Sequence, residues 1–363
     1  MTIPKTMRAI VLTGHGGLDK LEYRTDWPVP QPGPTQVLIK VAATGMNNTD
    51  VNTRSGWYSK EVTEATTGGA YESVGGDGTW GGSGIMFPRI QGADVCGTVV
   101  AAGPEADQSL IGKRVITDNW LRDWDDPLNR TKAKYFGSEA DGGYAEYAVI
   151  DYRNVGAVDS ALKDADLATF SCSYTTAEGM LARAQVTAGD RVLITGASGG
   201  VGSALIQLAN RRGATTIAMA SAAKHAQLAP FNPAHMLDRA SEDLAKALLD
   251  ATGSEKVDVV CDIVGGPAFP KLIDQIARGG HYATSGAIAG PIVDLDLRTL
   301  YLEDLTFHGS TIVPPHVFTD LVGYIERGEV KPILAATYKL EDFHAAQEAF
   351  IAKTHTGNIV VEP

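Results

Sequence analysis

Residues 7–45 read as β-structure, with apolar residues at every second position in two runs. Arg8 to Leu12 alternates, Gly14 to Gly17 turns, and Gln31-Pro-Gly-Pro34 blocks pairing and resets the chain. Val37, Ile39, Val41 and Ala43 then alternate with polar or small residues, the period of a half-buried strand. From about residue 156 the texture changes. Val192 to Thr195, Thr215 to Ala220, Val257 to Ile263 and His281 to Ser285 are short, largely apolar runs of the kind that buried parallel strands need. Helical stretches, including Ser241 to Leu249 and Ala268 to Ala277, separate them. This alternation predicts an α/β fold with a doubly wound parallel sheet. The tail returns to strand at Tyr338, helix at about Glu341 to Ala352 and strand at Asn358 to Val361, which sends it back to the first, β-rich half.

Two stretches interrupt the pattern. Residues 58–87 pack eight glycines into a polar run with Tyr58, Tyr71 and Trp80. A loop this long is either a lid over a site or a surface insertion packed on its own side chains. A second irregular stretch runs from Asp118 to Gly143.

The run Asp190-Arg-Val-Leu-Ile-Thr-Gly-Ala-Ser-Gly-Gly-Val-Gly-Ser203 joins a β-branched strand to an apolar helix through Gly196, Gly199 and Gly202. Glycine at every third position permits a tight turn, a close backbone approach to a pyrophosphate, and close packing of helix on strand. A glycine triplet alone is weak; between this strand and this helix it predicts a Rossmann dinucleotide site. An ordinary strand-to-helix turn is the plainer alternative. The backbone of Gly196, Ser198, Gly199, Gly200 and Val201 is expected to hold the phosphates at the helix N-terminus. The second strand of this unit ends Ala218-Met-Ala-Ser-Ala-Ala-Lys224, without the Asp or Glu that would hold the ribose 2′-hydroxyl of NAD. Ser221 and Lys224 suit a 2′-phosphate, so NADP(H) is expected ahead of NAD(H); for Lys224 a solvated helix position is the alternative.

Composition narrows the partners. Of 363 residues 44% are hydrophobic and 20% charged, which suits a globular chain of two domains. The net charge of −12, from 31 basic and 43 acidic residues, disfavours a nucleic-acid or anionic-membrane surface. No apolar stretch approaches the roughly 20 residues that span a bilayer, and the first residues lead into a strand with no signal-peptide core. Cys96, Cys172 and Cys261 are too few and too scattered for a disulfide framework. A cytoplasmic protein is expected.

Over essentially its whole length the chain resembles the medium-chain dehydrogenase/reductase superfamily. The resemblance is carried by Gly33-Pro-Thr-Gln-Val-Leu-Ile-Lys-Val-Ala-Ala-Thr-Gly-Met-Asn-Asn-Thr-Asp50 and by Gln91-Gly-Ala-Asp-Val-Cys-Gly-Thr-Val-Val100. The glycine motif and the ending Lys353-Thr-His-Thr-Gly-Asn-Ile-Val-Val361 are similar to its quinone oxidoreductase branch. It implies a chaperonin-10-like catalytic domain over 1–155, completed by 318–363, and a Rossmann domain over 156–317, with the active site between them. Zinc members carry Cys at the position of Asn47, Gly-His-Glu at Gly92-Ala93-Asp94, and a further ligand near Cys172. A catalytic zinc takes about three protein ligands and an open position. Asn47 and Ala93 supply neither thiolate nor imidazole, and region 103–145 lacks the four cysteines of the structural zinc. No metal is expected, and Cys96 and Cys172 read as small buried residues.

Without a Lewis acid, a conjugated carbonyl or quinone is an easier hydride acceptor than a simple ketone. Asn47 is the first candidate donor to the substrate oxygen or the carboxamide, with a turn-forming Asn as the alternative. Thr49 stands where alcohol dehydrogenases keep a hydroxyl for proton relay, or serves as a cap. Some quinone reductases have Tyr at the position of Asn52. Tyr58 either substitutes for it or is a packed aromatic. Asp50 is expected to orient neighbours, and Arg54 to form a surface ion pair or meet an anionic substrate. Thr176 belongs to the segment that passes the nicotinamide in the family, and Ser285 and Gly286 would flank the cofactor at a strand end.

The expected activity is NADPH-dependent, zinc-independent reduction of activated C=C bonds or quinones. The alternatives are an alcohol or aldehyde dehydrogenase of the zinc type and an NADPH-binding protein without turnover. The resemblance also implies a homodimer, with Leu300 to Val313 supplying an edge strand.

Overall fold

The computed structural model describes residues 2–66, 84–126 and 132–363. Six strands form an all-parallel sheet in the spatial order His235–Asp238, Thr215–Ala220, Arg191–Ile194, Val257–Asp262, Ile276–Thr284, Thr306–Gly309. Counted along the chain the order is 3-2-1-4-5-6, that of a dinucleotide-binding sheet. Winding reverses between Arg191–Ile194 and Val257–Asp262, which opens a crevice at their carboxyl ends. Val192, Leu193 and Ile194 are wholly buried, as a central parallel strand with helices on both faces requires. The Gly200–Arg211 helix buries Ala204, Leu205, Leu208 and Ala209 in the same core as Ala177, Met180 and Leu181 of the Ser171–Arg183 helix.

A second sheet has the order Leu334–Lys339, Asn358–Glu362, Gln36–Gly45, Asp94–Ala102, Arg114–Thr117, Val155–Ala157, with Tyr147–Asp151 also paired to Gln36–Gly45. The tail rejoins the first half of the chain here: Val360 pairs Gly45 and Val361 pairs Thr44. The Gln36–Gly45 strand is not half-buried as its alternation predicts. Val37, Ile39 and Val41 enter one core and Leu38 another, so both faces are covered and only Lys40 is exposed. Period two records which core each residue enters, and cannot tell a wet face from a second dry one.

The outer strands His235–Asp238 and Thr306–Gly309 each have four residues. The second lies inside the stretch expected to supply an edge. The predicted helix at Ser241 to Leu249 forms as Leu244–Thr252, started by Asp243, whose side chain accepts the Lys246 N–H. The stretch Ala268 to Ala277 is α-helical only over Phe269–Ile273, after a 3-10 turn that ends at Ala268; Ile276 already belongs to the next strand. Among the described residues no helix is long and apolar enough to cross a membrane.

Candidate functional site

The glycine turn leaves the central strand at the crevice. Gly196 takes φ +56°, in the left-handed region. A Cβ on Gly202 would stand 2.3 Å from the Gly196 carbonyl, so the helix presses directly on the turn. Gly199 caps the helix Gly200–Arg211, whose first amides have no carbonyl one turn back and face whatever occupies the crevice. Val201 is half-buried on the core side of that turn. The C-terminal segment closes on it: the Gly357 N–H donates to the Ser198 carbonyl at 2.9 Å. Opposite, Asp262 ends its strand and accepts from Thr195, from Tyr282 at 2.6 Å and from the Val264 amide at 2.8 Å. Ser285 and Gly286 follow the neighbouring strand, where Thr284 Oγ1 donates to the Gly286 carbonyl. These residues form a cradle that fits a dinucleotide.

Cations gather beside it. Ser221 caps the short turn Ala222–Lys224. Lys224 is half-buried rather than solvated, and its ammonium donates to the Lys353 carbonyl at 2.9 Å and the His355 carbonyl at 2.6 Å. Burial and the nearby Arg239 push its pKa down. Desolvation and the charge of Lys224 push Lys353 down to about 7, although the residue as a whole is exposed. Burial, Lys353 and Lys224 push His355 down to about 4. Among the described residues no carboxylate forms a salt bridge with Lys224, Arg239 or Lys353. Like charges held together without a counter-charge suit an anion.

Beside the second sheet, three distant segments meet on Asp94. Its Oδ1 accepts from Asn119 Nδ2 at 2.7 Å and from the Cys172 amide at 2.9 Å; its Oδ2 accepts from Asn47 Nδ2 at 3.0 Å. Burial pushes this carboxyl up to about 6 against those hydrogen bonds. Asp50 orients neighbours as expected: its Oδ2 accepts from Tyr144 at 2.7 Å and from the Asn47 amide at 2.9 Å, and burial raises it to about 7. Cys172 is half-buried, not fully buried like Cys96. Its thiol contacts Tyr135 and Thr176, and desolvation, with Asp94 next, raises its pKa.

Asn47, Asp94 and Cys172 are thus neighbours, but they do not fit a zinc. The Asn47 nitrogen, not its oxygen, faces Asp94, and both carboxylate oxygens of Asp94 are engaged by donors. Among the described residues no three His, Cys, Asp or Glu side chains stand together as a metal site.

Tyr58 joins this cluster. Its hydroxyl lies 3.5 Å from Asn52 Nδ2 and in hydrogen-bond contact with Thr49. Six residues beyond Asn52, a tyrosine hydroxyl therefore reaches the Asn52 side chain. Desolvation lifts its pKa well above 10, so it stays protonated. Trp57 packs edge-on against its ring at 5.6 Å. The Thr66 amide then donates to the Ile288 carbonyl at 3.0 Å, joining this segment to the loop after the Ile276–Thr284 strand. Most of the expected lid, residues 67–83, lies outside the described residues. Arg54 corrects an expectation. It is 1% exposed and donates to the Gly16 carbonyl at 2.6 Å, so it forms no surface ion pair.

Sequence reading passed over Asp94 as a site residue, and with it Asn119 and Tyr135, because the Asp94 contacts lie 25, 47 and 78 residues apart. It also passed over Arg239, Lys353 and His355. The signal for the last two was present in the quoted ending, where Lys and His precede the terminal strand.

Comparison with known proteins agrees with the fold. Residues 33–160 match the alcohol dehydrogenase GroES-like domain and residues 200–327 the zinc-binding dehydrogenase domain. A solved structure from Sinorhizobium meliloti 1021, provisionally assigned as an alcohol dehydrogenase, is 46% identical with a TM-score of 0.92, covering 99% of this chain and 98% of its own. The human quinone oxidoreductase is 26% identical over 96% of this chain and 94% of its own length. The acryloyl-coenzyme A reductase of Sulfurisphaera tokodaii is 25% identical over 98% and 100%. The chain belongs to the medium-chain dehydrogenase/reductase superfamily of oxidoreductases and is quinone oxidoreductase-like.

Proposed function

We propose that this chain is a zinc-independent, NADPH-dependent reductase of activated carbon–carbon double bonds or quinones. One observation carries the reading. Where zinc members of the superfamily hold their metal, the Asp94 carboxylate is ringed by the donors of Asn47, Asn119 and Cys172. The acceptor's oxygen must then be polarised by neutral side chains. A bound nicotinamide supplies the hydride. Tyr58, kept protonated by burial, donates to the developing oxyanion, and Asn47 offers its remaining N–H to the same oxygen or to the carboxamide. Thr49 holds the Tyr58 oxygen and stands in line for proton relay. A preorganised neutral donor contributes about 10²–10³ in rate. That suffices where conjugation already spreads the added charge, and falls short for an isolated ketone.

The glycine turn, with Gly196, Ser198, Gly199, Gly200 and Val201, would hold the pyrophosphate. Thr176 on one side and Ser285 and Gly286 on the other would flank the nicotinamide. Lys224, Arg239 and Lys353, with Ser221, would hold a 2′-phosphate, which favours NADPH over NADH. The exposed Leu297, Tyr301 and Leu302, next to the outer strand Thr306–Gly309, support a homodimer formed at that edge.

The test is NADPH oxidation against quinones, enones, acrylates, aldehydes and ketones, on protein of measured metal content. Turnover of conjugated acceptors by zinc-free protein supports the reading. Turnover confined to aldehydes or simple ketones and lost on chelation overturns it, and returns the chain to the alcohol dehydrogenase type.

A further inference from the structure

Lys353 is fixed from three directions. It ends the Phe343–Ala352 helix in the left-handed region, at φ 53°, and its carbonyl accepts from Lys224. Its ammonium stands 3.6 Å from the centre of the Phe350 ring. The third hold crosses 305 positions of sequence: Lys353 Nζ donates to Asn48 Oδ1 at 2.7 Å. Asn48 opens the Asn48–Ser55 helix, between Asn47 and Thr49.

We infer that Asn48 is a positioning residue for cofactor selectivity: it holds the Lys353 ammonium toward the Lys224 cluster and ties the 2′-phosphate subsite to the substrate-side helix. The inference rests on the NADPH reading proposed above. A free lysine loses rotamer freedom when it meets a phosphate, and a side chain already held in place loses less. An amide oxygen suits the task. It accepts one ammonium hydrogen without adding a counter-charge, so the positive charge is left for an anion, whereas a carboxylate there would cancel it.

The experiment uses the full chain and two probes, 2′,5′-ADP and 5′-AMP, titrated by calorimetry. Selectivity is the ratio of their dissociation constants. The wild-type chain is expected to prefer 2′,5′-ADP. Asn48→Ala should lose about threefold to tenfold of that ratio with 5′-AMP affinity unchanged. Asn48→Asp should lose more, because its carboxylate neutralises Lys353. Lys353→Met should lose the preference that Lys353 provides, and adding Asn48→Ala to it should cost nothing further. A wild-type ratio in Asn48→Ala, or an equal loss on top of Lys353→Met, overturns the inference while leaving the cofactor reading intact. A wild-type chain that does not prefer 2′,5′-ADP overturns the cofactor reading itself.

Discussion

The Asn47 amide donates to the Asp94 carboxylate at 3.0 Å, across two elements 47 residues apart in sequence. This contact decides the orientation of Asn47. Its nitrogen faces the acid, so its second N–H is the group it can offer. If that N–H meets the substrate oxygen, Asn47→Ala should lower kcat/KM by about 10²-fold, and by taking one donor from the buried Asp94 carboxylate it should also cost about 1 kcal/mol of stability. Asp94→Asn should cost more than activity. It places an amide among three donors, leaves at least one of them unsatisfied, and should destabilise the fold by about 1–3 kcal/mol. Chemical denaturation of the two variants, read beside their kinetics, separates the effects.

Tyr58→Phe removes the hydroxyl and keeps the ring packed against Trp57. A fall of about ten- to a hundredfold in kcat with unchanged NADPH affinity is expected. An unchanged kcat would make Tyr58 a packed aromatic only.

Stability should depend on pH through the buried acids. Burial holds Asp50 up to about 7 and Asp94 to about 6, against 3.8 for an ordinary aspartate. The folded chain therefore binds these protons more tightly than the unfolded chain. Their contribution is complete below pH 3.8 and is lost as pH rises through 6 to 7. The Tm should fall between pH 5 and pH 8, and Asp50→Asn, which keeps an acceptor for Tyr144 but cannot ionise, should flatten that fall.

Lys224→Met should weaken NADPH binding more than NADH binding, and the NADPH affinity of the wild type should fall with added salt. Equal losses for both cofactors would remove Lys224 from the phosphate subsite. Because its ammonium also holds the Lys353 and His355 carbonyls, some loss of Tm accompanies the change.

Gly202→Ala should abolish binding of either cofactor. The added methyl would stand 2.3 Å from the Gly196 carbonyl and must drive the helix off the turn. Intrinsic helix propensity alone predicts the opposite, since alanine is favoured over glycine by about 1 kcal/mol. Tryptophan-to-NADPH energy transfer reads the outcome.

The parts of this fold that sequence disclosed are local. The strand, glycine turn and helix of residues 190–203 carry their chemistry within one run, and the absent acid after Met219 is a single-position signal. The Asp94 cluster could not be read that way. Its donors come from residues 47, 119 and 172; Asn47 and Cys172 are marked in the sequence, but nothing local ties them or Asn119 to one carboxylate until the fold brings them together. Lys353 stood in the quoted ending, but its meaning depends on the tail folding back so that Gly357 meets Ser198. The half-buried reading of Gln36–Gly45 was overturned by a neighbouring core that alternation does not report.

The most direct test of the central claim follows the hydride. The protein is treated with a chelator, its zinc content is measured, and [4-²H]NADPH is reacted with a conjugated enone. The account predicts deuterium at the β-carbon of the saturated product, at a rate that chelation leaves unchanged. Deuterium at the carbonyl carbon of an alcohol, formed at a rate that falls with the removed zinc, would contradict it.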